Sequence, residues 1–159
     1  MGLEAVKKIT TLAPAQFSLL SEGMRAELVK QGCSIPQPWR ATSNANVVAG
    51  SFAASGQTDV AVLCSKNEVS AIYVFWGGPA HCPSELARAD DRNYLQGVGD
   101  GKIGYSRAMG AASPKLIERY QARFSGPQSL GRTHQGIEDT FLGKGSTIDY
   151  CQQSAWVEL

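Results

Sequence analysis

The stretch from Asp59 to Trp76, DVAVLCSKNEVSAIYVFW, constrains the fold more than any other part of this chain. DVAVLC and SAIYVFW are rich in β-branched and aromatic residues, which fit a pleated, half-buried surface. The connector SKNEV has hairpin length. Both segments are almost continuously apolar rather than alternating, as strands are when a sheet is covered on both faces. NVVAGSF at 46–52 is a third strand candidate just before them. The chain must therefore build a central antiparallel sheet and find cover for each side of it.

Two segments read as helices. From Pro14 to Gln31, Phe17, Leu20, Met24 and Leu28 recur at three to four residues and form one apolar stripe, with Gly32 as the stop. In SPKLIERYQARF, Ser113 is a good N-cap and Pro114 suits the first turn, while Leu116, Ile117, Tyr120 and Phe124 share a face. Between the strands and this second helix runs a long polar, glycine-rich excursion, Gly77 to Gly101, expected to be loop with one helical turn near Ser84–Ala89. A short strand is expected at Ile103–Arg107. SGPQSLGRTHQG breaks the second helix, and IEDTFLGK, STIDYC and AWVEL close the chain as antiparallel strands. The expected fold is α+β: one domain over residues 1–159, with a twisted antiparallel sheet of five to seven strands and two helices packed on one face.

Composition narrows the partners. The 159 residues carry 15 basic and 14 acidic side chains, so no global field draws the chain to nucleic acid or anionic lipid. No apolar run approaches the ~20 residues of a membrane helix. The opening MGLEAVKKITTLAPAQF has no continuous apolar segment and does not read as a signal peptide, and Met1 is equally compatible with a start that replaced a leader. Cys33, Cys64, Cys82 and Cys151 are an even set with three possible pairings and no CxxC spacing. Two disulfides in a periplasmic or secreted protein, or four buried thiols in a cytoplasmic one, are the alternatives. Only 18% of residues are charged, and with strand-rich patterning this favours export. Cys33–Cys64 with Cys82–Cys151 is the first choice of pairing, supposing that the segment after the first helix returns beside DVAVLC.

GSFAASGQTDVAVL resembles a single FG-GAP (VCBS-type) repeat, in which a Gly-Asp-Phe loop with alternating acidic residues precedes a hydrophobic strand. The resemblance covers residues 50–64. It implies a loop of the kind that holds calcium through side-chain oxygens, with ligand positions at Ser51, Ala53, Ser55, Gln57 and Asp59. Only Asp59 retains a carboxylate, so no metal is expected and Asp59 is left to pin the turn through the loop amides around Gly56 and Gln57. The chain is more similar to small stand-alone bacterial proteins with one such unit than to multi-bladed propellers.

Several catalytic patterns fail on inspection. GDGKIG at 99–104 matches G-x-G-x-x-G, but the phosphate-binding version needs a strand before it and a helix after it. His81 is badly placed to activate the adjacent Cys82, and zinc from Cys64, His81, Cys82 and His134 has unsuitable spacing. His134 with Glu138 or Asp139 is the best acid–base combination, compatible with a small hydrolase. Trp39 beside Arg40, and Tyr94 in the central excursion, are the expected binding anchors. No cofactor is expected. The leading expectation is a non-catalytic exported binding protein, inhibitor-like in one version, for a protein or small ligand. The alternatives are that hydrolase and a purely structural domain.

Overall fold

The computed structural model describes residues 3–124 and 133–159. The chain begins with α1 (Leu3–Val6), β1 (Thr11–Leu12), a 3-10 turn at Pro14–Gln16, α2 (Glu22–Lys30) and β2 (Ile35–Pro36). A first meander follows, of β3 (Val47–Gly50), β4 (Asp59–Lys66), β5 (Val69–Phe75) and β6 (Glu85–Asp90). A second 3-10 turn, Asp91–Tyr94, leads into the ribbon β7 (Leu95–Gly99) and β8 (Lys102–Tyr105). The second meander is β9 (Arg107–Ala112), α3 (Pro114–Phe124), β10 (Gly136–Phe141), β11 (Gly145–Gln152) and β12 (Ala155–Glu158). Each meander is a four-stranded antiparallel sheet in sequence order, and β1–β2 and β7–β8 are separate two-stranded ribbons.

This mostly β architecture corrects the expected α+β fold of one five-to-seven-stranded sheet beneath two helices. The strands divide between two sheets because the chain leaves β6 through the Asp91–Tyr94 turn and a ribbon before pairing resumes at Arg107. The helices also serve different sheets. Leu28 of α2 packs with Val60, Val62 and Cys64 on the outer face of the first, whereas Ile117 of α3 packs with Ala112, Ile148 and Tyr150 of the second. Alternate residues of β4 and β5, Ala61, Leu63, Ile72 and Val74, turn inward and join Ile137 of β10 in a core shared by both sheets. The strands at 59–75 are thus covered on both faces.

Local chemistry explains the element ends. α2 starts only at Glu22 because Ser21 caps it, its Oγ accepting from the Met24 amide, and Phe17 and Leu20 are buried from a non-helical turn. The expected helix over 14–31 is correspondingly shorter. Ser113 accepts from the Leu116 amide and starts α3. GDGKIG makes the β7–β8 turn and runs on into β8, with Gly99, Asp100 and Gly101 all at positive φ, which two glycines accommodate without strain.

The structure joins Cys33 to Cys64 and Cys82 to Cys151, with Cα–Cα separations of 5.3 and 5.9 Å. The first ties the segment after α2 to β4, next to a bridge between Ser34 and Ser65. The second ties the loop after β5 to β11 and so links the two sheets covalently. No helix among the described residues is long and apolar enough to cross a membrane.

Candidate functional site

Arg107, the first residue of β9, is fully buried between the sheets. A guanidinium has five N–H donors in a rigid fork and no acceptor, so burial demands a surround of oxygens. Nε and Nη2 donate to the two oxygens of Asp139 at 3.0 and 2.8 Å, a bidentate pair. Nη2 also donates to the Ala87 carbonyl, and Nη1 to the Ser70 hydroxyl at 3.1 Å and more weakly to the Ser70 carbonyl. Ala87 reaches Arg107 from a residue at φ 57°, beside a shift in the β5–β6 register. Burial alone would lower the Arg107 pKa, but the hydrogen bonds to Asp139 and its charge outweigh this and raise it.

A hydrogen-bonded line continues from the arginine. Ser70 Oγ lies 3.4 Å from the Tyr105 hydroxyl, which donates to Asp91, and Asp91 also accepts from Ser65 at 2.6 Å. Burial, and next the Asp91 charge, raise the Tyr105 pKa and keep its phenol a neutral donor. Buried polar groups joined in this way fix one arrangement of the sheets, because a partial network would leave unpaired groups at low dielectric.

Above the ion pair is a cleft of about 470 Å³, with Tyr94, Asp139, Phe141, Lys144, Ser146 and Thr147 among its walls. The Asp91–Tyr94 turn presents Tyr94, and the β10–β11 hairpin presents the rest. The Tyr94 and Phe141 rings are 5.5 Å apart, with the Arg107 guanidinium 4.7 Å from the Tyr94 centroid and the Lys144 ammonium 4.6 Å from that of Phe141. Burial, partly offset by Arg107, raises the Tyr94 pKa. One pleat repeat from Thr147, on the same face of β11, is Asp149. Burial first, and then Glu158 and Asp139, push its carboxyl up to about 7.

The structure brings Tyr94 and Asp139 together and separates the other nominated residues from them. Glu138 points to the opposite face of β10 from Asp139, as neighbours in a strand must. His134 stacks on Tyr150 at 4.3 Å and its Nδ1 lies 2.8 Å from the Gln135 carbonyl, on the α3 side of the sheet. Trp39, 43% exposed, has the Arg40 guanidinium 4.9 Å from its ring and lines a separate groove of about 360 Å³.

Asp59 is buried and holds its loop in place, with Oδ2 accepting from the Phe52 amide and Oδ1 from the Gly77 amide and Gln57 Nε2. A Cβ at Gly77 would run into the Thr58 carbonyl, so only glycine brings that amide to Asp59. All four cysteines are in disulfides, and no three His, Cys, Asp or Glu gather to hold a metal ion among the described residues.

Arg107, Phe141, Lys144 and Asp149 were not singled out by sequence reasoning. The one signal was an arginine at the end of an expected strand, which resembles any edge charge until its partners are known. Comparison with protein-family models, curated proteins and solved structures finds no match for this chain.

Proposed function

We propose that the protein is a non-catalytic binding module of an oxidising, exported compartment, periplasmic or secreted, with the Tyr94–Phe141 cleft as its recognition site. One observation carries this reading: the cleft is aromatic-walled and floored by an ion pair whose donors are all engaged. Such a floor is rigid before a ligand arrives, which lowers the ordering cost of binding. Asp139 is committed to Arg107 and His134 stacks on the other side of the sheet, so these two do not form an acid–base pair. Two disulfides favour an oxidising compartment.

The test is a small-molecule panel of amines, carboxylates, alcohols and sugars, followed by NMR of the aromatic side chains. A cleft ligand should shift the Tyr94 and Phe141 ring signals, and Phe141→Ala should weaken it about tenfold, a side chain's worth of contact. If the panel moves only the Trp39 indole, or no ring at all, the cleft is not the recognition site.

A further inference from the structure

Among the described side chains Trp39 is the one exposed Phe, Tyr or Trp, and the chain is built to keep it so. Its loop, between β2 and β3, has no regular structure and is pinned along its length. Buried Gln37 closes the neck, with Nε2 donating to the Ala45 carbonyl at 2.8 Å and Oε1 accepting from the Ala45 amide at 2.7 Å. The Trp39 amide donates to the Tyr105 carbonyl and Asn44 Nδ2 to the Gln16 carbonyl, both at 2.9 Å. A Cβ at Gly104 would lie 2.7–2.9 Å from Trp39 Cγ, Cβ and Cδ1, so β8 carries glycine where the indole is seated. The other two indole N–H groups of the chain are spent, Trp76 on Ser84 Oγ and Trp156 on the Pro83 carbonyl. Within the described residues the Trp39 N–H has no partner, nor have the hydroxyls of Thr10, Thr42 and Ser43 or the side-chain oxygen of Asn44. These residues are walls of one groove of about 360 Å³, and no wall of it is charged. Arg40 and Gly104, which lie against the indole, are not among the walls, so the part of the ring that borders the groove is open.

We infer that this groove is a second binding site, for a neutral saccharide, with one pyranose ring against the Trp39 indole. It shares no wall with the Tyr94–Phe141 cleft and does not depend on the reading of that cleft. A pyranose has C–H patches of slight positive charge, which suit the negative face of an aromatic ring. Its hydroxyls both donate and accept, which suits walls made of hydroxyls, an amide oxygen and an indole N–H. A charged ligand would give up hydration and meet no opposite charge in these walls. A wholly apolar one would cover the same polar groups and leave them without partners. The pinned loop is already ordered, so little conformational freedom is lost when the ligand arrives.

The probes are the methyl glycosides of glucose, galactose, mannose and N-acetylglucosamine, with glucuronate and cyclohexanol as charged and apolar comparisons. Binding is read from the indole N–H signal of Trp39, assigned by its loss in Trp39→Phe. At least one glycoside should shift that signal and leave those of Trp76 and Trp156 in place. Trp39→Ala should abolish its binding. Thr42→Ala combined with Ser43→Ala removes two exposed hydroxyls that have no partner in the described structure, so the fold should be unaffected while affinity falls about tenfold. If no glycoside moves the Trp39 signal, or if the double variant binds undiminished, the inference is wrong. Cyclohexanol binding as tightly as the best glycoside also overturns it, since the groove would then be a bare apolar contact. Glucuronate binding tenfold tighter than every glycoside, with the advantage lost in Arg40→Ala, overturns it in favour of an anion site on Arg40. A glycoside that shifts the Tyr94 and Phe141 rings but not the Trp39 indole overturns it and supports the cleft.

Discussion

Two aspartates on neighbouring strands show how environment decides the state of a side chain. Asp139 and Asp149 are both over nine-tenths buried, but Asp139 is gripped by a bidentate guanidinium while Asp149 faces Glu158. Their difference has a measurable consequence for stability. The folded-state pKa of Asp149 is raised from 3.8 to about 7, by burial before all else, so the native state holds this proton more tightly than the unfolded chain. The resulting stabilisation is fully present below pH ~4 and is lost as pH climbs through 7. At about 1.4 kcal/mol per pKa unit, the loss approaches a few kcal/mol. Urea unfolding of Asp149→Asn, in difference from wild type, should therefore show the variant gaining relative stability from pH 4 to pH 8 and then levelling. A constant difference across that range would mean that Asp149 titrates like an ordinary surface carboxylate.

At the scale of elements, the sequence is legible where one segment carries its own signal and opaque where a neighbour supplies it. β4 and β5 are evident from unbroken β-branched and aromatic runs, and α3 from Ser113, Pro114 and a helical stripe. β6 is not: its charges at 85, 88 and 90 and the bulge at Ala87 hide any alternation, and it is a strand because β5 offers it an edge. β7 contains two glycines and pairs only because the Gly99–Gly101 turn folds β8 back onto it. The site divides in the same way. Tyr94 and Asp139 stand out as residue types, but their meeting depends on Arg107, which no local pattern marks for burial.

The loop before β4 was legible in one respect, a carboxylate that binds backbone amides, although the amides belong to Phe52 and Gly77. Hydrogen bonds to a charged acceptor are worth ~1.5–3 kcal/mol each, and an amide in the same place turns a donor toward these donors. Asp59→Asn should thus cost ~2–4 kcal/mol in urea denaturation and speed hydrogen exchange at the Phe52 and Gly77 amides. A loop held by a cation instead would show a calcium-dependent rise in Tm that the variant lacks.

The whole molecule is two meanders held face to face by three kinds of tie: the shared apolar core, the polar line through Arg107, and the Cys82–Cys151 bond. Asn46, at positive φ, adds a fourth by donating to the carbonyls of Pro36 and Arg107 and accepting from the Met109 amide. These ties predict how the molecule comes apart. The Cys82–Cys151 bond spans 69 residues of sequence and the Cys33–Cys64 bond 31, so chain entropy favours the former by only about 0.7 kcal/mol out of roughly 4 each. Replacing Cys82 and Cys151 with serine should cost slightly more than replacing Cys33 and Cys64, yet leave one cooperative transition, because Ile137 sits in the same core as Leu63 and Ile72. The junction has its own reporter: Trp76 and Trp156 pack at 6.0 Å, and Trp156 Nε1 donates to the Pro83 carbonyl beside Cys82. Tryptophan fluorescence and far-ultraviolet circular dichroism should therefore give coincident unfolding curves even in the Cys82→Ser, Cys151→Ser protein. If the fluorescence change came first, the sheets would be separable units joined mainly by sulfur, and a cleft floored by contacts between them would open whenever that bond was reduced.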